Sequence, residues 1–568
     1  MSKTTYSSSS HNRWCRPLLQ GRLDILDPDD AASRVVVNER RHGTAISSLI
    51  AHGDLAAGEP SLSSRILVRP VLNRLSAPDL NGQHLEQFDV DKLTVEVVHK
   101  ALEDLFGANA DARAAQVFVV NVSLGDRNRP HGAGPVSGWA RLLDWWSTTS
   151  GVLFITSTGN TGDELPLAGF ANYNAADSAS EEDMKTAAMR ALIDARATRP
   201  VLSPAEGINV LSVGAAHGEA APKQTLPNGA RDALPVEGAP SLLSRAGPGI
   251  ARAVKPDILM PGGRTLASIR STADGPVLRR SEATLLSGQR AAAPPVAAAA
   301  AAFPILRTHG TSNSAALATR LAVRSIDNLT AEDGAFSDGL DREEAALLAK
   351  CLLVHAANWG TAGTFALQCL AGQGSWEQQR RTISDLFGYG LVEQDRALGS
   401  ADHRVTLLDV GLIRRDQGLL YELRPPQSLS PSSERRTIKS TIAWFTPVQA
   451  TRRLYRQAEL FADDHTDNNF SLGLRPVSDQ PTDRLSCRGT VWSQAFDGTR
   501  AISHDENDRI HVRVSCKETY PGALSAQMEI PYALAVTIEV GAASGIALYD
   551  EVLAGIRAEA EVRTRVRA

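Results

Sequence analysis

The segment AAQVFVVNVSLG at residues 114–125 is an apolar, β-branched run of strand length that stops at Ser-Leu-Gly. It predicts a buried strand, and the segments that follow it decide the fold. SGWARLLDWW at 137–146 carries helical spacing, GVLFITSTGN at 151–160 is a second buried strand, and INVLSVGAA at 208–216 is a third. Strands alternating with helices over roughly the first 400 residues argue for a mostly parallel, doubly wound α/β sheet with helices on both faces. Each apolar run ends in Gly, Asn or Ser, and in open α/β sheets that rim is where ligands bind. The site is expected on those loops.

Further along, DREEAALLAKCLLVHAAN at 341–358 has the apolar spacing of a buried helix packed on the sheet. Residues 218–245 and 263–290, rich in Ala, Pro, Gly and Ser, read as long surface loops able to shape a substrate cleft. RPPQSLSPSSERR at 424–436 reads as a linker. Beyond it TIKSTIAWF, RIHVRVSC and YALAVTIEV alternate or run β-branched, which predicts a C-terminal β-sandwich over 437–568.

Composition narrows the function. Lys plus Arg is 59 against 64 for Asp plus Glu, a net charge of −5 that gives no overall attraction for nucleic acid. No run approaches the ~18 apolar residues of a membrane span, and MSKTTYSSSSHNRWC at the start lacks the apolar core of a secretory signal. A cytoplasmic location is expected. Cys15, Cys351, Cys369, Cys487 and Cys516 are scattered and unpaired in motif, as reduced thiols rather than a disulfide frame or zinc site. No phosphate-binding loop is present, and no metal or other cofactor is expected.

Four distant segments carry residues of catalytic type. Arg41-His42-Gly43-Thr44-Ala45 opens a helical stretch, which holds a histidine rigidly enough to serve as general base. Gly310-Thr311-Ser312-Asn313 opens another, where the Ser312 hydroxyl and N–H lie at the positive end of the helix dipole, suited to attack and to oxyanion stabilisation. Asn160 at the end of the 151–160 strand can donate its amide to a developing oxyanion. Ser123-Leu124-Gly125 can offer backbone hydrogen bonds to an extended peptide. Taken singly, these are also an ordinary N-cap, a turn and a structural histidine. The order His42, Ser123-Leu124-Gly125, Asn160, Ser312 is what accidents do not readily produce.

In that order the residues resemble the subtilisin-like serine peptidases. HGTAIS at 42–47 is similar to the family's HGTxVA box, SLG at 123–125 to its substrate strand, and STGN at 157–160 to its AAGN motif. VLSVGAAH at 210–217, SRAGPG at 244–249 and KPDILMPGG at 255–263 resemble further family segments, and GTSNSAA at 310–316 its serine box. A second stretch, GQRAAAPPVAAA at 288–299, is also similar to the serine box but would place Arg290 at the nucleophile. Arginine cannot attack, so Ser312 is the nucleophile of choice.

The resemblance implies a peptidase domain over 16–423, a disordered or truncated tail over 1–15, and hydrolysis of a protein or peptide substrate. It implies His42 as base, Ser312 as nucleophile, Asn160 as oxyanion donor and residues 123–125 as the substrate-binding strand. The NSAALATR continuation and long C-terminal extension look closest to a bacterial cytoplasmic branch encoded beside an AAA-type ATPase in plasmid-maintenance or anti-phage loci.

One part of the pattern is missing. The family orders its triad Asp, His, Ser, with the Asp about 30 residues before the His. That position falls near Ser9, with no acid there and no apolar strand before it. Asp24, Asp27, Asp29 and Asp30 lie only 12 to 18 residues before His42 and read as loop or turn carboxylates. Three explanations stand: a truncated or misassigned N-terminus, which is favoured; an inactive scaffold that binds a protein partner; or another carboxylate that orients His42.

Overall fold

A computed structural model describes residues 18–31, 34–74, 86–132, 134–281, 286–294, 304–452, 454–463, 473–505 and 507–553. The expected tail 1–15, with Ser9 and Cys15, lies outside the described residues. In chain order the elements that matter are β1 (Leu23–Ile25), α1 (Arg41–His52), β2 (Ile66–Val68), α2 (Thr94–Phe106), β3 (Val119–Val122), α3 (Gly138–Ser150), β4 (Leu153–Ser157), β5 (Leu211–Ala216), β6 (Ile258–Pro261), α4 (Thr311–Leu329), α5 (Arg342–His355), β7 (Ala357–Asn358) and β8 (Leu391–Val392).

The central sheet runs β7-β8-β6-β5-β4-β3, with every pairing parallel except the short β7 against β8. Its strands are continuous apolar runs because both faces are covered. On β4 the alternation is explicit: Leu153 and Ile155 join α1, α4 and α5 on one face, while Phe154 joins Val98 and Leu102 of α2 and Trp139, Leu143 and Trp146 of α3 on the other. Each such side chain, fully buried, stabilises the fold by about 1.5–3 kcal/mol. At the far edge β3 is only half-buried, and among the described residues it has a neighbour on its β4 side alone. β1 and β2 form a separate parallel pair, and Leu67 borders the same core as Val120 and Val122.

The C-terminal part consists of β9 (Arg404–Arg414), β10 (Gly418–Leu423), β11 (Arg436–Trp444), β12 (Ala458–Asp463), β13 (Arg475–Pro476), β14 (Val491–Gly498), β15 (Ile510–Glu518) and β16 (Glu529–Val540). They form two antiparallel sheets, β9-β16-β11-β14-β13 and β10-β15-β12. Leu534, Val536 and Ile538 of β16 face a core shared with Leu460, Val512 and Val514 of the smaller sheet. Ala533 and Ala535, the alternate residues, pack into the core that holds α5. Helix α5 therefore lies between the parallel sheet's α4 layer and the C-terminal five-stranded sheet, buried from Ala345 to His355, rather than against the parallel sheet alone.

Three sequence expectations are corrected. The boundary at 423 is too late: β9 and β10 precede it, yet β9 pairs with β16 over its whole length and β10 with β15. The 424–436 stretch is no free linker, because Leu429 is fully buried in the C-terminal core and Arg436 begins β11. Residues 218–245 bury Ala233, Leu234 and Ala239, and 263–290 contains a hairpin of Ala267–Thr272 and Gly275–Arg280. Small side chains made these segments look like surface loops, whereas here they let the chain pack closely.

Candidate active site

Helix α1 begins at Arg41, places His42 in its first turn and buries its face from Thr44 to Ala51. The Thr44 hydroxyl donates to Arg40 O at 2.6 Å, which holds that first turn where no side-chain cap does. His42 is half-buried, and burial lowers its pKa from the ordinary histidine value, which favours the neutral imidazole. It forms no hydrogen bond or ion pair with any described residue.

Across the α1–α4 packing, Gly310 caps α4 with φ +130°, a conformation L side chains rarely adopt. A Cβ there would come 2.7 Å from Asn160 Nδ2. The Thr311 N–H donates to Asn160 Oδ1 at 2.9 Å, and the Thr311 hydroxyl does so at 3.2 Å while accepting from Gly159 N–H at 3.1 Å. That pattern fixes the amide's orientation, with its oxygen occupied and Nδ2 left as donor beside the start of α4.

Ser312, next in the helix, is half-buried, and its Oγ donates to Ser123 O at 3.1 Å. Ser123 Oγ lies 3.0 Å from Ser312 O and 2.8 Å from Asn121 Oδ1, and Asn121 Nδ2 donates to Thr319 Oγ1 of α4 at 3.0 Å. The ends of β3 and α4 are thus clamped by side chains on both. Gly125 and Gly159 flank Leu202, which is buried between them; a Cβ on Gly159, at φ +93°, would lie 2.6 Å from Leu202 Cδ1.

Ser312, Ser123 and Asn160 are therefore joined through Thr311 and the α4 N-terminus, with Leu124 half-buried and Gly125 exposed beside them. His42 enters on a packed neighbouring helix without a bond to Ser312. The upstream acids are engaged elsewhere: Asp24 pairs with Arg65 at 2.5 Å, Asp27 accepts from Ala31 N–H at 2.8 Å, and Asp29 pairs with Arg69 at 2.5 Å and with Lys100. Hydrogen bonds from Lys100 and Arg69 hold the Asp29 carboxyl below its usual pKa. Arg290 sits in a strand, Gln289–Ala292, not at a helix start.

Sequence reasoning did not single out Thr311, Asn121 or Leu202. Thr311 lies within the GTS motif, and its role follows from where its hydroxyl reaches; the other two are set by contacts across more than 40 residues. Among the described residues there is no His, Cys, Asp and Glu grouping that could hold a metal, and no helix long and apolar enough to cross a membrane.

The sequence profile of the subtilase family matches residues 20–390. A protein of Sinorhizobium fredii (strain NBRC 101917 / NGR234), "Uncharacterized protein y4bN", is 28% identical over 342 residues, covering 60% of this chain and 69% of that protein. Among solved structures, the prenylagaramide maturation protease PagA is 16% identical, with 68% of this chain and 88% of that one covered and a TM-score of 0.35. A lanthipeptide protease is 15% identical, with 67% and 82% covered and a TM-score of 0.34.

Proposed function

Because the chain belongs to the subtilase family, we propose that it is a serine endopeptidase that cleaves peptide bonds through an acyl-enzyme. Ser312 Oγ attacks the scissile carbonyl carbon while His42 takes its proton and then returns it to the leaving amine; water hydrolyses the ester by the reverse sequence. The Asn160 Nδ2 and the Ser312 N–H hold the oxyanion, and the extended substrate pairs along 123–125. At rest the Ser312 hydroxyl donates to Ser123 O, so it must exchange that acceptor for His42 before attack. The carrying observation is the Asn160 amide, locked by Thr311, with its donor end unbonded among the described residues beside the helix whose second residue is the serine.

A fluorescent fluorophosphonate, which reports an activated serine, tests this. Labelling of the wild type and its loss in Ser312→Ala is expected, and a folded wild type that does not label overturns it.

A second reading is favoured by one observation: among the described residues His42 has no carboxylate partner, and Ser312 donates to a carbonyl instead of to the imidazole. On that reading the chain is an inactive subtilase-shaped scaffold, with its C-terminal sheets acting as a β-sandwich that docks a protein partner. Loss of the triad Asp costs about 10⁴ in kcat in subtilisin- and trypsin-type enzymes but leaves residual catalysis. Supplying an upstream Asp-bearing strand raises hydrolysis if the first reading holds and leaves a pure scaffold silent. We further assign the chain to the bacterial cytoplasmic branch, with an AAA-type ATPase partner and a role in plasmid maintenance or anti-phage defence. Co-elution of the full chain with the product of a neighbouring ATPase gene tests that pairing.

A further inference from the structure

Lined by none of the serine-site residues, a cavity of about 310 Å³ opens at the joint between the α/β layers and the C-terminal five-stranded sheet. Asn358 of β7 and Glu393 line it from one side; Arg404 of β9, Lys439 of β11 and Glu539 of β16 line it from the other, with Asp479 in the same wall. Its volume lies at the lower end of the range of small-molecule sites.

The charges of this wall do not cancel locally. Arg396 is neutralised, donating to Glu539 at 2.6 and 2.8 Å and to Glu393 at 2.6 Å, and Arg435 is paired outward with Asp497 at 2.5 Å. Lys439 is different: its Nζ donates to Ala357 O at 2.7 Å and forms no ion pair with a described carboxylate. Arg404, 8% exposed, gives Nη2 to the carbonyls of Asp395 and Gly399 at 3.2 and 3.1 Å, and its buried Nε has no partner. Among the described acids of the wall, Asp479 is the one without an ion pair to Arg396. Burial, followed by the field of Arg396, holds the Lys439 amine down to about 7. His355, also in the wall, is occupied by the hydroxyls of Thr441 at 2.8 Å and Thr537 at 2.6 Å.

Keeping cations out of bulk water costs several kcal/mol each unless an anion or a full set of acceptors compensates. Main-chain carbonyls supply only part of that set here. We propose that this cavity is a binding site for a compact polar metabolite whose phosphate or carboxylate group sits on Lys439 and Arg404. Such a ligand touches both halves of the joint, because the two cations lie on C-terminal strands while Asn358 and Glu393 belong to the α/β layers, so binding stabilises the folded chain.

The test is thermal denaturation and calorimetry of the full chain with inorganic phosphate and, separately, with citrate, against sodium chloride of matched ionic strength. A saturable rise in Tm at millimolar phosphate or citrate is expected, with at least about a tenfold loss of affinity in Lys439→Met and retention in Lys439→Arg. A response to phosphate alone assigns a phosphate ligand, and one to citrate alone a carboxylate. If Lys439→Met does not fold, Arg404→Met takes its place. Absence of a saturable response to both anions, or a response equal in wild type and variants, overturns the proposal. Fluorophosphonate labelling at Ser312 is read in parallel, and its outcome bears only on the peptidase reading.

Discussion

At the scale of single residues, the serine site rests on hydrogen bonds that cross long stretches of chain, and each makes a prediction. Replacing Asn160 by Ala removes the locked donor, and fluorophosphonate labelling is expected to slow by about 10²–10³, the usual loss for one oxyanion donor. Gly310→Ala puts a methyl group 2.7 Å from that donor at φ +130°. It is expected to cost about 1–3 kcal/mol in backbone strain, measured by the denaturant midpoint, and to displace Asn160, measured by slower labelling. His42 gives a pH signature. As the proposed base it must be neutral, and burial lowers its pKa, so the labelling rate is expected to fall with acidification only below the ordinary histidine range. An acid limb centred at or above that range contradicts the burial of His42. These candidates could be named from the sequence because Gly-Thr-Ser, Ser-Leu-Gly and Gly-Asn are short motifs. The Thr311 bridge was not, since nothing local states that its hydroxyl reaches Gly159 and Asn160.

Among the elements, α5 shows how far periodicity carries a reading. Its start is set by a capping box, in which the Asp341 side chain accepts from Glu344 N–H at 2.9 Å and Glu344 accepts from Asp341 N–H at 2.9 Å. Asp341→Ala is expected to lower stability by about 0.5–2 kcal/mol, visible as a shifted denaturant midpoint with labelling unchanged. The helix was legible from its spacing; the second layer that covers it was not, because an all-round apolar helix says that it is buried without saying by what. Strands β9 and β10 were missed for a related reason. Pro and Ser at 424–436 read as a linker by composition, yet composition does not register that Leu429 fills the C-terminal core. The central strands of the parallel sheet, β4 and β5, were readable because burial on both faces leaves an unbroken apolar run.

Across the whole molecule, the α/β layers and the C-terminal sheets share buried polar groups as well as apolar core. Asp144 of α3, fully buried, accepts from Ile208 and Asn209 N–H at 3.0 and 2.7 Å and from the Tyr455 hydroxyl at 2.9 Å. Lys350 of α5, also fully buried, donates to Asn209 O at 3.0 Å and to Thr490 Oγ1 at 2.7 Å. Asp144→Ala strands three donors, and a loss of at least about 3 kcal/mol is expected in urea unfolding. A single cooperative transition is expected for the full chain; two separated transitions contradict the shared core.

That sharing also sets an order in time. Helix α5 ends at His355, and the alanines of β16 that cover it, Ala533 and Ala535, are made almost 180 residues later. At about 5–20 residues per second, the growing chain carries α5 with one apolar side incompletely covered, by β11 at best, for roughly 10–40 s. During that interval every box of the serine site has already been synthesised, while the layer that closes the core behind it has not.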